Sequence, residues 1–383
     1  MPELPSPSVE ERALSARLSD VIRTEIADND SIAFARFMEL ALYAPGLGYY
    51  AAGKEKFGAA GDYITAPESF PLFARCLAQT TADVIAQLGG GDILEVGAGS
   101  GQLAAGLLAE LAARGALPHR YFILDVSADL RARQAQTLRV RVPELYARVH
   151  WLDRLPVRGF RGVVLGNELL DAMPVERFRV CKDGIRQRRV TWRDEGLQWT
   201  EVAANAEIIA RVAPLGLPTD YISEISFAAE AWVRSVADIL AAGAVLLFDY
   251  GFPRAEYYHP ERSDGTLMCH YRHRAHGDPL TLVGLQDITA HVDFTAIAEA
   301  AVESGLEVVG YTSQAAFLLG SGLETFAAQS DPADVRAHLA LTQQIKKLTM
   351  PHEMGELFKV IALGRGMNRP LSAFALQDRR GRL

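Results

Sequence analysis

The chain has 383 residues, 49% of them hydrophobic, and a formal net charge of −8 at pH 7. That length and apolar content support a sizeable core and about two domains, while the acidic balance argues against a large nucleic-acid footprint and mildly favours a basic partner. No membrane-length segment occurs: the longest apolar stretches, such as Ala241 to Phe248 with its break at Gly243, are strand-sized, whereas a membrane helix needs about twenty apolar residues. Cys76, Cys181 and Cys269 are far apart and form no C-x-x-C pair, so neither a disulfide framework nor a zinc site is indicated. Met1-Pro2-Glu3-Leu4-Pro5 has neither a basic n-region nor an Arg-rich transit composition, and the expectation is a cytoplasmic chain without membrane insertion.

In chain order, Leu14, Leu18, Ile22 and Ile26 are spaced four apart and predict one apolar helical stripe over Val9 to Ile26. Ser31 is the expected N-cap of a second helix bearing Phe34, Phe37, Met38 and Leu42, stopped at Pro45-Gly46. A glycine-rich loop, Gly46 to Thr65, precedes a further helix near Phe70 to Leu88. This gives an N-terminal helical region, residues 1–88.

The run Leu94-Glu95-Val96-Gly97-Ala98-Gly99-Ser100-Gly101 closes an apolar strand with three alternating glycines and opens an apolar helix, Gln102 to Ala113. Glycine permits a tight turn and close approach of backbone N–H groups to a ligand. A dinucleotide fingerprint would need a third glycine where Gln102 stands, and Glu95 precedes the first glycine by two positions. Glu-x-Gly-x-Gly-x-Gly at a strand end instead matches S-adenosylmethionine (SAM) methyltransferases, with Glu95, Gly97, Ala98, Gly99 and Gly101 as cofactor contacts; the other reading is a glycine turn with no ligand.

A second strand ends Leu124-Asp125-Val126, where βαβ folds place a ribose-binding acid, which makes Asp125 and Val126 further contacts. A third, Val149 to Leu152, ends at Asp153, placed either to accept from an adenine amino group, with Trp151 or Leu152 against the ring, or as an ordinary loop carboxylate. Strands at Gly162 to Leu165, Ala244 to Asp249, Glu307 to Thr312 and Phe358 to Leu363 complete seven. The fold class expected is α/β, a Rossmann-like class I SAM methyltransferase with a seven-stranded, mostly parallel sheet and a late reversed strand. The core would span 89–366, with insertions at about 176–240 and 252–292, the first containing antiparallel strands Arg177 to Val180, Arg188 to Trp192 and Leu197 to Val202. Residues 367–383 form a tail whose polar end, Gln377 to Arg382, is expected to be mobile.

Ligands of open α/β sheets bind at the carboxyl ends of strands, and the fourth strand ends in Asn167-Glu168-Leu169-Leu170-Asp171. Asn167, Glu168 and Asp171 would face the sulfonium side, and a carboxylate pair there suits a guanidinium gripped by paired hydrogen bonds. The other reading has Glu168 and Asp171 capping a following helix.

Asn167-Glu168-Leu169-Leu170-Asp171-Ala172-Met173-Pro174-Val175, with Leu42-Tyr43-x-Pro45-x-x-Gly48-Tyr49-Tyr50 and Gly61-Asp62-Tyr63-Ile64-Thr65-x-Pro67-Glu68, resembles the MidA-type methyltransferases. Phe248-Asp249-Tyr250-Gly251, Gly265-Thr266-Leu267, His276-x-Asp278-Pro279-Leu280, Asp287-Ile288-Thr289-Ala290-x-Val292-Asp293-Phe294 and Met354-Gly355-Glu356-x-Phe358 extend the resemblance over nearly the whole chain. It implies SAM as cofactor, an activity similar to protein arginine methyltransferases, a protein substrate presenting an arginine, and a link to respiratory complex I assembly, with symmetric dimethylation implied for the mitochondrial branch. Where mitochondrial relatives have His-Glu-Phe-Phe-Asp, this chain has Asn167 for the histidine, so residue 167 can only donate or accept hydrogen bonds. The catalytic expectation is Glu168, Asp171 and Asn167.

Gly61, Asp62 and Thr65 are read as folding over the cofactor, or as a surface turn. Tyr49 and Tyr50 either line an arginine channel or pack in the core, and Asp249 is a further substrate-contact candidate. His270, His273 and His276 are spaced three apart but lie among Arg272 and Arg274 without a convincing acid ligand, so no metal is expected. A homodimer through the antiparallel insertion is compatible with the pattern.

Overall fold

A computed structural model describes residues 4–52, 66, 70–331 and 333–383. Gly61, Asp62 and Thr65 lie outside the described residues. The chain divides into two compact units, one of residues 1–63, 171–231 and 252–293, the other of 64–170, 232–251 and 294–383.

In the first unit, α1 (Val9–Asn29) opens with a capping box. Ser8 Oγ accepts from Glu11 N at 3.2 Å, and Glu11 Oε2 accepts from Ser8 N at 2.7 Å; such a cap contributes about 1 kcal/mol. The expected stripe buries Leu18, Ile22 and Ile26. Ser31 does not cap the next helix. The chain first makes a two-residue strand, β1 (Ile32–Ala33), and α2 (Phe34–Tyr43) starts from Ala33, with no side-chain cap. Ser31 Oγ is taken instead by Arg189 Nε at 2.9 Å.

A core of Phe34, Phe37, Met38, Val190, Cys269 and Ile288 joins these helices to antiparallel strands. These are β6 (Glu176–Cys181), β7 (Gly184–Arg193), β8 (Gly196–Ala203) and β9 (Ile222–Ile225). Strands β6 and β1 share one edge of β7, and β8 takes the other. A smaller sheet runs β12-β11-β13, from β11 (Met268–Tyr271), β12 (Arg274–His276) and β13 (Asp287–Thr289).

The second unit holds the parallel sheet, built from β2 (Asp92–Val96), β3 (Tyr121–Leu124), β4 (Val149–Leu152), β5 (Phe160–Asn167), β10 (Leu240–Phe252), β15 (Glu307–Ser313) and β16 (Phe358–Arg365). Their order is β15-β16-β10-β5-β2-β3-β4. Pairs among β4, β3, β2, β5 and β10 are parallel, and β16 is antiparallel to both neighbours. This is the mixed α/β architecture and the late reversed strand that the sequence predicts. Continuous apolar runs form these strands because helices cover the sheet. Helix α3 (Pro71–Leu88) buries Phe73, Cys76, Leu77 and Val84 in the same core as Ile93, Val163 and Leu246, so its apolar face places it with the sheet. The structure therefore differs from the predicted boundary after residue 88, and the N-terminal helices associate with the inserted strands instead.

The tail is also not the mobile end expected. Leu371, Ala373 and Phe374 are buried, and the Arg379 guanidinium bonds both Glu356 oxygens at 2.8 and 2.9 Å. Those bonds hold the Glu356 carboxyl below its ordinary range.

At the amino ends of the central strands, Asp92, Gly162 and Gly243 stand in register across β2, β5 and β10. Gly162 has φ +148° and Gly243 φ +133°, and a Cβ at either would overlap a neighbouring carbonyl oxygen, that of Asp92 or of Gly162. Gly162→Ala should lower stability by about 3 kcal/mol or more, seen as a fall in thermal midpoint. Gly277→Ala, where the added methyl meets open space, should leave it nearly unchanged.

Burial pushes the Cys76 thiol up to about 12 and raises that of Cys269 further, while Cys181 is part-exposed. A disulfide-exchange reagent at pH 8 should therefore titrate the Cys181 thiol alone in the native protein and all three in denaturant; rapid native reaction of Cys76 or Cys269 would contradict this burial.

Candidate cofactor and transfer site

Beyond β2 the backbone turns through three left-handed glycines, Gly97 at φ 72°, Gly99 at 52° and Gly101 at 84°, and enters α4 (Gln102–Ala113). Among the described residues no side chain caps this helix, and no acid stands in its first turn, so its N-terminal dipole and N–H groups face the turn. A Cβ at Gly101 would press on Gln134 Cα at 3.0 Å, which explains why this position takes no side chain. Glu95, 3% exposed, is the penultimate residue of β2 and accepts from the Tyr121 hydroxyl at 2.7 Å. Burial, with the Glu95 carboxylate adding to it, holds the Tyr121 phenol well above its ordinary range, so it remains a donor.

Asp125, at the end of β3, is buried. Its Oδ1 accepts from Ser127 N at 2.9 Å and its Oδ2 from Gln134 Nε2 at 2.8 Å. A carboxylate oxygen carries two lone pairs and can accept more than one hydrogen bond. The next residue, Val126, is 80% exposed, an apolar surface beside a fixed acid. Helix α5 (Ala128–Arg141) supplies the fixing groups. Arg131 donates from Nε to Asp125 O at 2.9 Å and from Nη1 to Asp153 Oδ1 at 2.7 Å, and it also reaches Leu152 O. The Asp153 side chain is 91% exposed, and among the described residues its bond to Arg131 is what orients it. Trp151 donates from Nε1 to Gln134 Oε1 at 2.9 Å.

The end of β5 lies beside this turn. Leu169 Cδ1 is 3.6 Å from where a Gly97 Cβ would stand. Glu168 is held at φ 49°, left-handed for a residue with a side chain, a geometry that costs about 1–3 kcal/mol and clusters at functional sites. Its N–H donates to Phe248 O at 2.9 Å, and its Oε1 accepts from Asn167 Nδ2 at 3.1 Å. Asn167 Oδ1 is buried and has no hydrogen-bond partner among the described residues. Asp249, 1% exposed, clamps the turn: Oδ2 accepts from Leu169 N at 3.1 Å and Leu170 N at 2.8 Å, and Oδ1 from Tyr250 N at 2.9 Å. The capping reading of Glu168 and Asp171 does not apply, because a turn and then β6 follow, not a helix.

Asp171 begins the stretch that belongs to the other unit. There it is buried, with its carbonyl accepting from Ala290 N at 3.0 Å. Tyr49 is 2% exposed within the apolar core. Tyr50 stacks on Tyr43 at 5.5 Å and donates to Asp287 Oδ1 at 2.8 Å. Of the three histidines, His273 sits in the two-residue turn of the β11–β12 hairpin, where Arg272 and His273 both have positive φ. His276 pairs with Cys269 and His270 with Ala275, which puts His270 and His276 on opposite faces. Gln134 and the clamping role of Asp249 escape a reading of the sequence. Gln134 stands in a polar helical stretch, and Asp249 carries only the signal of a strand-end acid.

Residues 76–312 match the model of a family described as S-adenosyl-L-methionine-dependent methyltransferases, and the chain belongs to that family. A COG1565 superfamily protein from Burkholderia thailandensis, bound to S-adenosyl-homocysteine, is 49% identical, with a TM-score of 0.97 over 100% of both chains. The mitochondrial protein arginine methyltransferase NDUFAF7 of Danio rerio is 26% identical over 89% of this chain and 85% of its own. Its homologue in Drosophila melanogaster is 25% identical over 95% and 89%. The protein is thus a methyltransferase that uses SAM as its cofactor, and the glycine turn, uncapped helix N-terminus and oriented carboxylate suit such a ligand.

Two substitutions at the clamped turn should move stability in opposite directions. Asp249→Ala strands three backbone donors and should cost about 2–4 kcal/mol. Glu168→Gly removes left-handed strain and should gain up to about 1 kcal/mol. Urea titration of both variants reads the two signs.

Proposed function

We propose that this methyltransferase acts on the guanidinium of an arginine in a protein substrate. The observation that carries the reading is Glu168, a carboxylate in a strained turn at the end of the central strand, with one oxygen accepting from Asn167. The names of the mitochondrial relatives support the same reading. When bound, SAM supplies an electrophilic methyl group on a sulfonium centre.

The chain's residues then have separable tasks. Glu95, Gly97, Ala98, Gly99 and Gly101 hold the methionyl side of the cofactor, Asp125 takes the ribose hydroxyls, and Val126 and Asp153 border the adenine. Glu168 accepts N–H bonds from the guanidinium, which fixes one nitrogen and keeps electron density on it; planar paired hydrogen bonding favours arginine over lysine. Asn167 fixes the Glu168 carboxylate and offers its buried Oδ1 as an acceptor. The rate advantage on this reading is positioning and charge placement.

The test is transfer from tritiated SAM into proteins of a lysate from cells lacking the gene, with wild type and Glu168→Gln in parallel, followed by hydrolysis and amino-acid analysis. The expected result is label in methylarginine, cut at least about a hundredfold in Glu168→Gln, with SAM binding retained by calorimetry. Label in a different amino acid or in a small molecule would replace the arginine reading, and binding without transfer would point to a docking role.

A further inference from the structure

We infer that Gln134 is a positioning residue for the cofactor: its side-chain amide locks together the three walls of the SAM site. The inference rests on the reading of the glycine turn and Asp125 as that site. Gln134 is wholly buried, which is costly for an amide unless its groups are paired. Its partners come from three separate strand ends. Nε2 donates to Gly99 O in the glycine turn at 3.0 Å and to Asp125 Oδ2 at 2.8 Å. Oε1 accepts from Trp151 Nε1 at 2.9 Å. Both amide hydrogens and the oxygen are used, each by a different wall.

The chemistry of this pattern requires an amide. Two acceptors, a carbonyl and a carboxylate, must be met by donors, while the indole N–H must be met by an acceptor. A carboxylic acid offers at most one donor and an alkyl chain offers none. The main chain of Gln134 matches the same function, since its Cα lies 3.0 Å from the Cβ position of Gly101. The helix is therefore seated against the turn by its backbone and tied to it by its side chain. Gln134 touches no reacting atom in this arrangement. It sets the rotamer of the ribose acid, the path of the turn and the plane of the Trp151 ring before ligand arrives, so that binding does not have to order them.

Calorimetric binding of S-adenosyl-homocysteine to Gln134→Met, Gln134→Glu and Asp125→Asn, each against wild type, tests this. Gln134→Met should weaken binding by about tenfold or more, the size expected for a lost bond to a charged acceptor. Gln134→Glu sets two carboxylates at hydrogen-bond distance, and such a pair binds a shared proton readily. Its affinity should approach that of wild type near pH 5 and fall about tenfold or more by pH 8, whereas wild type should stay flat over that range. This pH profile, read within one folded variant, separates positioning from a general loss of stability. Binding by Gln134→Met equal to wild type, or a Gln134→Glu profile parallel to wild type, would overturn the inference while weak binding by Asp125→Asn leaves the site reading intact. Asp125→Asn binding like wild type would instead sink the site reading, and the inference with it.

Discussion

The carboxylate of Asp249 is the fixed point of the turn that follows β5. It is buried and meets three main-chain N–H groups, each a charge-assisted bond of the stronger kind. Its placement follows from sheet register: β10 runs parallel to β5 with Phe248 level with Asn167, so the next residue of β10 lies beside the chain as it leaves β5. Glu168 could not keep φ 49° by its own preference, since a side chain in the left-handed region costs about 1–3 kcal/mol. The bonds to Asp249 and to Phe248 O offset that cost. A short turn without a disulfide or a helix of its own is held by its neighbour strand.

Under the proposed reading the cofactor side is built the same way, with support drawn from another element. Arg131 and Gln134 lie three apart on α5 and so share a face, and both reach the ends of strands they do not belong to. The turn itself is left with glycines, which can shape a ligand cradle but cannot stabilise one. Division of labour between a pliable contact loop and a rigid helix behind it is how a site gains orientation without filling itself with side chains.

The sheet was legible because each buried strand is an apolar run ending in a polar group: Leu94-Glu95, Leu124-Asp125, Leu165-Gly166-Asn167 and Phe248-Asp249. Under the proposed reading these endings also line the site, so the strand reading and the cofactor reading share one signal. What failed to show was tertiary. Ser31 looks like a cap until Arg189, 158 positions away, takes its hydroxyl. The arginines near the end of the chain look solvated until Arg379 meets Glu356. Gln134, in Arg133-Gln134-Ala135-Gln136, looks like solvent-facing helix, because a buried amide differs from an exposed one only in its partners. The histidine spacing suggests a cluster, but a hairpin alternates faces, and that alternation is set by pairing with β12, not by spacing along the chain.

The two acids read as cofactor contacts at the ends of β3 and β4 looked alike in the sequence, and burial separates them. Asp125 is 8% exposed and fixed through both oxygens. The Asp153 side chain is 91% exposed against a quarter-exposed Arg131, a pair of the kind that contributes about 0–1 kcal/mol and is screened by salt. Orientation before binding is what converts a hydrogen bond into affinity. Under the proposed reading the ribose end is therefore the anchored end of the cofactor, and the adenine end leans on the Val126 surface and the Trp151 ring that Gln134 holds.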